Sequence, residues 1–456
     1  VRLSRATQDR LAPGVQSYGY DRDAQASGIV HIGIGAFHRA HQAWYTDRAM
    51  DSGDRDWAIT GVSLRSPGVA AQLNPQDGLY TLSERSADGT RIRLIGAVRG
   101  VLVASETPAA VVERIAAPET RIVSFTITEK GYCRAADGSL DTDLAGDGSV
   151  YAFLGAGLAA RRRAGLGGLS LLSCDNLADN GRQLARLMSA WLERHDPDLR
   201  GWFEHECACP STMIDRIVPA TAPADRIAVS AAIGATDEGA IVTEPFSQWV
   251  IEDRFAGPRP RWEGVGAQLV PSVEAYETAK LRMLNGAHSA LAYLGLQQGV
   301  AYVHEAVGVP ALRDMADRLM RDEAAPTIAP ASGQDLDAYR HDLLARFGNP
   351  ALGHRLAQIA MDGSQKIPQR WLETLAANRA AGRRSPVILA AIAAWLRHVR
   401  GDNGPVDDPL AERFAELWAT QDARGVIQTL FGAQGMFGAI WQAGEGEIAE
   451  LVASLG

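Results

Sequence analysis

One run constrains this chain before any other. Residues 29–35, IVHIGIG, are short, apolar and closed by glycines, and a helical pattern over residues 38–50 comes directly after. Such a run predicts a buried strand that turns sharply into a helix. A side chain at either glycine would block the tight turn and keep a pyrophosphate from the helix N-terminus. Gly33-Ile34-Gly35 therefore fits a dinucleotide-binding fold. The third glycine of the usual fingerprint is absent, because His38 stands in its place. Taken alone, the motif also fits a plain strand–helix turn. Arg39, in the first helical turn, reads as a cation beside the phosphates or, equally, as part of a solvated helix face.

The remainder of the first half keeps the same rhythm. Apolar runs at 57–63 (WAITGVS), 121–128 (RIVSFTIT) and 168–174 (GLSLLSC) predict further strands, and 107–117, 151–163 and 179–194 predict helices. Thr107 before Pro108 offers a capping hydroxyl and a first-turn proline. Strands alternating with helices imply a mostly parallel sheet covered on both faces. Near residue 270 the texture becomes helical, with Ala- and Leu-rich segments at 275–295, 309–322, 336–347, 351–361, 369–381 and 386–399. The expected class is α/β: a Rossmann-type doubly wound sheet domain over 1–270, then a mainly α-helical domain over 271–456. A length of 456 residues fits two domains.

Composition narrows the function. The net charge is -9 and no dense Lys/Arg run occurs, which argues against nucleic acid as a partner. No run of about 18 apolar residues predicts a membrane span. The first residues, VRLSRATQDRLAPG, lack the basic-then-apolar pattern of a secretory signal, so a cytoplasmic location is expected. Four cysteines are too few for a disulfide framework in a chain this long. Cys207, Cys209 and nearby His205 hint at a metal, but there is no second ligand pair with zinc-type spacing, and no metal is expected.

In open α/β sheets, ligands bind beyond the carboxyl ends of the strands. Three polar clusters fall at such ends: the glycine turn, Thr128-Glu129-Lys130-Gly131-Tyr132, and Ser173-Cys174-Asp175-Asn176. The second strand ends Ser63-Leu64-Arg65-Ser66 with no acid to take the ribose hydroxyls of NAD. Arg65 and Ser66 suit a 2′-phosphate, so NADP stays open.

The segment 277–288, ETAKLRMLNGAH, is otherwise apolar. At about 100° per residue, Lys280, Asn285 and His288 fall within a sector of about 140°. A lysine in an apolar cleft is desolvated and its pKa falls toward neutrality. A neutral amine can take a proton from an alcohol, and an amide such as Asn285 can donate to the developing alkoxide. The same pattern also fits a snorkelling lysine, a satisfied core amide and a core histidine.

These stretches together resemble the mannitol dehydrogenase family, the polyol-specific long-chain dehydrogenases. The matching segments are IVHIGIGAFHRAHQAWYTD (29–47), TEKGYC (128–133), SCDNLADNG (173–181), MIDRIVP (213–219), EPFSQWVIED (244–253), KLRMLNGAHSALAYLG (280–295) and DGSQKIPQR (362–370). His38 at the third glycine position is what this family shows. The resemblance implies a metal-independent oxidoreductase. Lys280 is then the general acid/base, Asn176 and Asn285 stabilise the alkoxide, His288 orients substrate, Glu277 relays protons and Asp215 lines the substrate site. Cofactor contacts are implied for Gly33, Ile34, Gly35, Phe37, Arg39, Thr128 and Glu129. The acidic pair by which some members choose their cofactor would fall near Pro67-Gly68 and is missing. The family's fructuronate reductases also lack it and are NAD-linked, which implies NAD. The family includes monomers, and no interface pattern sets an oligomeric state here. The segment 426–456 reads as helical, without an assigned role.

The family divides between neutral polyols and hexuronate-derived acids. Lys130, Arg282 and the QKIPQR end of the last motif resemble the acid-reducing members. A substrate carboxylate paired with Lys130 or Arg370 is therefore expected. The leading expectation is interconversion of D-fructuronate and D-mannonate. The alternatives are a mannitol or other polyol dehydrogenase and, from a different class, a cofactor-binding sensor without chemistry.

Overall fold

The computed structural model describes residues 1–135 and 137–456. The chain divides into two compact units, Val1–Val273 and Glu274–Gly456.

In the first unit the strands are β1 (Ile29–Ile32), β2 (Ile59–Ser63), β3 (Tyr80–Ser86), β4 (Gly89–Ile95), β5 (Val98–Val103), β6 (Ile122–Phe125), β7 (Ser170–Ser173), β8 (Thr212–Asp215), β9 (Ile241–Thr243), β10 (Gln248–Glu252) and β11 (Gln268–Val270). Five of them form one parallel sheet in the order β5-β2-β1-β6-β7. The order reverses between β1 and β6, the switch point at which such sheets open a ligand crevice. β1, β6 and β7 are buried along their whole length, as strands covered on both faces must be. Alternate side chains of β1 feed two cores: Ile29 packs with Tyr45, Trp249 and Trp262, while Val30 and Ile32 pack with Phe125, Leu154 and Leu187.

The apolar pattern marked neither the edge strand β5 nor two small sheets. β3 and β4 form an antiparallel hairpin joined by β9, and β8 pairs antiparallel with β10, which pairs parallel with β11. Several of these strands are only three or four residues long, too short for a period to register. The helix Pro108–Ala116 starts as expected but without the expected cap. The Thr107 hydroxyl donates to Val103 O at 3.2 Å, so the proline alone marks the start.

The second unit is helical around one core that includes Leu291, Trp371, Trp395 and Phe431. The helices expected at 275–295, 309–322 and 369–381 are each interrupted by π-helix, at Lys280–Asn285, Leu319–Ala324 and Pro368–Leu372. The segment 351–361 is likewise only a 3-10 turn and the short helix Leu356–Ala360. No helix among the described residues is long and apolar enough to cross a membrane.

Candidate active site

The glycine turn is built from the strand outward. Gly33 has φ +92°, a left-handed conformation that strongly favours glycine. A Cβ there would also collide with the Thr126 carbonyl at the exit of β6. Gly33 N donates to Val62 O at 2.8 Å, and Thr126 Oγ1 donates to Gly33 O at 2.7 Å, so the turn is tied to both neighbouring strands. At Gly35 a Cβ would meet nothing closer than 3.8 Å, leaving an open cradle above the helix Ala36–Ala40. Ile34 is buried over Gly61, and half-buried Phe37 stacks on His41 at 5.3 Å.

Arg39 corrects one expectation: it is not on a solvated helix face. It is buried, with Nε donating to Gly35 O at 3.1 Å and Nη1 to Gly239 O at 2.7 Å, so its hydrogen bonds brace the glycine turn. His38, in the third glycine position, is buried against His31 with ring centroids 3.4 Å apart. Burial pushes the His31 pKa down to about 3. It pushes His38 well below the ordinary range too, helped by the nearby Arg39 guanidinium.

The three clusters lie at one edge of the sheet, beyond β1, β6 and β7. Thr128, Glu129 and Lys130 are on the short helix Thr128–Gly131, with Glu129 and Lys130 exposed. Asn176 is exposed in the turn after β7, whereas Asp215 is buried as the last residue of β8, opposite Gln248. Asn180 Nδ2 donates to Asp175 O at 3.1 Å and to Thr212 O at 2.9 Å, so the turn that carries Asn176 is stitched to the strand that carries Asp215. Cys207 Sγ accepts a hydrogen bond from Leu169 N and His205 pairs with Glu206. No metal-holding group of His, Cys, Asp or Glu occurs among the described residues.

In the helical unit, Lys280 opens the π segment and Asn285 closes it. Gly286 N reaches Leu281 O, an i→i−5 bond. A π turn advances less per residue than an α turn, and it gathers Lys280, Asn285 and His288 into a sector of roughly 60° instead of 140°. Trp371 Nε1 donates to Gly286 O at 3.1 Å, so the π segment Pro368–Leu372 braces this helix at the glycine. Lys280 and Glu277 are half-buried, while Asn285 and His288 are 9% and 7% exposed.

His288 stacks on Phe347 at 5.1 Å and meets His354 edge-on at 4.8 Å. Its Nε2 has no hydrogen-bond partner. Burial holds its pKa well below the usual value, and the charges of His354, Arg370, Arg346 and Lys366 add to this. The neutral ring keeps a nitrogen available to a hydroxyl. Arg370 Nη1 donates to Ser289 Oγ at 2.6 Å, and burial pulls its guanidinium down to about 10. Among the described residues Arg370 pairs with no carboxylate. Arg282 donates to Thr327 O at 2.9 Å and pairs with Glu373, so it is engaged within its own unit. Arg346 and His354 beside His288 were missed, since nothing in their helical or turn context marks them in the sequence.

Residues 27–264 match the mannitol dehydrogenase Rossmann domain and residues 272–455 the mannitol dehydrogenase C-terminal domain. An uncharacterized oxidoreductase of Escherichia coli, YeiQ, is 42% identical over 92% of this chain and 89% of its own. D-mannonate oxidoreductase of the same organism is 40% identical over 92% and 90%. The solved mannitol 2-dehydrogenase of Pseudomonas fluorescens, in a ternary complex with NAD and D-mannitol, is 36% identical with a TM-score of 0.84, covering 100% of this chain and 95% of that one. These matches run nearly end to end, and the glycine turn and the lysine helix each fall inside a matched domain, so the chain belongs to the mannitol dehydrogenase family and is a dehydrogenase.

Proposed function

We propose that the chain interconverts D-mannonate and D-fructuronate with NAD as cofactor. The observation that carries the acid rather than the neutral sugar is Arg370. A partly buried guanidinium without a carboxylate partner is costly, and an anionic substrate supplies the missing countercharge. D-mannonate oxidoreductase among the relatives supports the same choice.

The cradle at Gly33 and Gly35 fits a dinucleotide, because Cβ atoms would close the turn at the first and fill the open space at the second. Ile34, Phe37, Thr128 and Glu129 complete the residues assigned to hold it. NAD held there would supply the hydride acceptor for the carbinol carbon. Lys280 takes the hydroxyl proton during oxidation and returns it during reduction. Asn285 and Asn176 donate to the oxygen as it gains charge. His288 orients a neighbouring hydroxyl through its neutral ring, Glu277 passes the Lys280 proton to solvent, and Asp215 and Lys130 contact the rest of the substrate. In the reverse direction the carbonyl carbon, C5 of fructuronate, receives the hydride.

A panel of fructuronate, fructose and buffer alone, each with NADH and NADPH, tests this reading. Turnover is expected with fructuronate and NADH. Preference for fructose would assign the chain to the neutral polyols, and no turnover with any ketose or ketouronate would favour a sensor. Arg370→Met is expected to raise KM for fructuronate by roughly tenfold or more, the scale of one lost charge-assisted hydrogen bond. Lys130→Met is expected to raise it as well. Neither is expected to change fructose reduction much, and equal losses on both substrates would remove the carboxylate contact.

A further inference from the structure

The residue before Asn176 occupies a position that the proposed chemistry does not use. Thr128 is a β-branched residue held at φ +62°, a conformation such side chains rarely adopt. What holds it is the carboxylate of Asp175. Asp175 Oδ1 accepts from Thr128 N at 2.9 Å, and Oδ2 accepts from Ile127 N at 3.1 Å. Oδ2 also accepts from the Tyr132 hydroxyl at 2.8 Å, and that hydroxyl lies 2.5 Å from Ser173 Oγ. One buried carboxylate at the exit of β7 thus fixes consecutive backbone amides at the exit of β6.

The exit of β6 is also the wall against which the glycine turn is pressed. Thr126 O lies 2.2 Å from where a Gly33 Cβ would stand, and Ile127 Cγ2 lies 3.2 Å from the same point. The backbone of Asp175 is fixed from its other side. Its carbonyl accepts from Leu177 N at 2.8 Å and from Asn180 Nδ2, which continues to β8. A movement of Asp175 would therefore shift the wall of the switch-point crevice and the turn that presents Asn176 together.

We propose that Asp175 is a positioning residue: its carboxylate holds Thr128 in the left-handed region and thereby sets the cofactor-side wall and Asn176 as one unit. It touches neither substrate nor cofactor, so its effect is read through theirs. Asp175→Asn keeps one acceptor and turns an amide donor toward a backbone N–H, which opposes the clamp. NADH affinity, read by fluorescence titration, is expected to fall about tenfold. kcat per bound NADH is expected to fall at least as much, both measured on protein whose Tm shows it is folded. Thr128→Gly removes the strain that the clamp resists. The loss caused by D175N is therefore expected to shrink at least threefold in the T128G background. An unchanged loss in that background, or a D175N enzyme within threefold of the parent, overturns the proposal. Tyr132→Phe removes a donor from the same carboxylate and leaves both backbone bonds in place. It is expected to keep NADH affinity within threefold. A tenfold loss in Y132F overturns the proposal whether or not D175N folds, because burial of the cluster rather than the backbone clamp would then be what matters.

Discussion

Lys280→Ala is expected to lower turnover by about a thousandfold in both directions while NADH binds nearly as before. A positioned acid/base contributes on the order of 10² to 10⁴ in rate, and this reaction has one proton to move for each hydride. The π turn is what makes the lysine suited to the task. It brings Lys280 onto the same face as Asn285 and His288, so that one oxygen can meet the amine and the amide together. Half-burial, rather than full burial, leaves the amine a route to solvent by which the proton can leave, with half-buried Glu277 one turn earlier on the same helix. The check is steady-state kinetics on the preferred substrate beside a NADH titration. The pH profile gives a second readout: oxidation by the parent enzyme should rise with pH as the amine loses its proton, and that limb should vanish in K280A. Residual turnover within tenfold of the parent would reassign the base. Unchanged turnover with lost NADH affinity would place Lys280 on the cofactor instead.

Four of the five strands of the parallel sheet were legible, because a strand buried on both faces has an apolar code that neighbours do not blur, as in Ile29–Ile32 and Ile122–Phe125, whereas the edge strand β5, half-buried at Arg99, Gly100 and Leu102, was not. The glycine turn was legible for a similar reason: Gly33 is there because of a backbone angle and a carbonyl, and both constraints act on that residue itself. The π segments were not legible. A π turn differs from an α turn by one residue per hydrogen-bonded ring, and the apolar pattern KLRMLNGAH accommodates either. The π segment Lys280–Asn285 ends against the segment that carries Trp371, eighty-odd residues away in sequence, whose indole donates to Gly286 O. The partners of Arg39 and Arg282 were not legible for a related reason. A sequence shows that a residue is cationic, but not that Gly239 O or Thr327 O waits for it. Asp175 was visible only as part of a polar cluster, since its role lies in the backbone amides that it meets.

The second large effect expected is on stability in acid, and in the sheet unit it is carried by two buried histidines. His31 and His38 are buried and neutral, with the His31 pKa held at about 3 and that of His38 held well below the ordinary value. Neither ring nitrogen of His38 has a hydrogen-bond partner. Below about pH 6.5 the unfolded chain binds a proton at each of these residues and the folded chain does not. Stability is therefore full above the unfolded value and falls as the pH drops, by about 1.4 kcal/mol per pH unit for each histidine. Two such groups cost about 2.7 kcal/mol per pH unit, a large part of an ordinary domain's margin by pH 5, opposed as the pH falls further by Asp47, Asp175 and Asp237, whose carboxyls burial pushes up. In the helical unit the same loss at His288 meets an opposing change at Glu323. This buried carboxyl accepts from Val387 N and Ile388 N, yet burial pushes its pKa up to about 7. Its folded value lies above the unfolded one, so its contribution is present at low pH and is lost as the pH rises toward 7. Between pH 4.5 and 6.5 the slopes of His288 and Glu323 largely cancel, and His354 and His398, also pushed down by burial, leave that unit acid-sensitive as well. Hydrogen exchange across β1 and β6, followed from pH 7.5 to 5, should show the sheet unit loosening as the pH falls. His38→Phe fills the same buried space without a titrating nitrogen and should halve the slope. An unchanged slope in that variant would mean that the acid sensitivity arises elsewhere in the sheet unit.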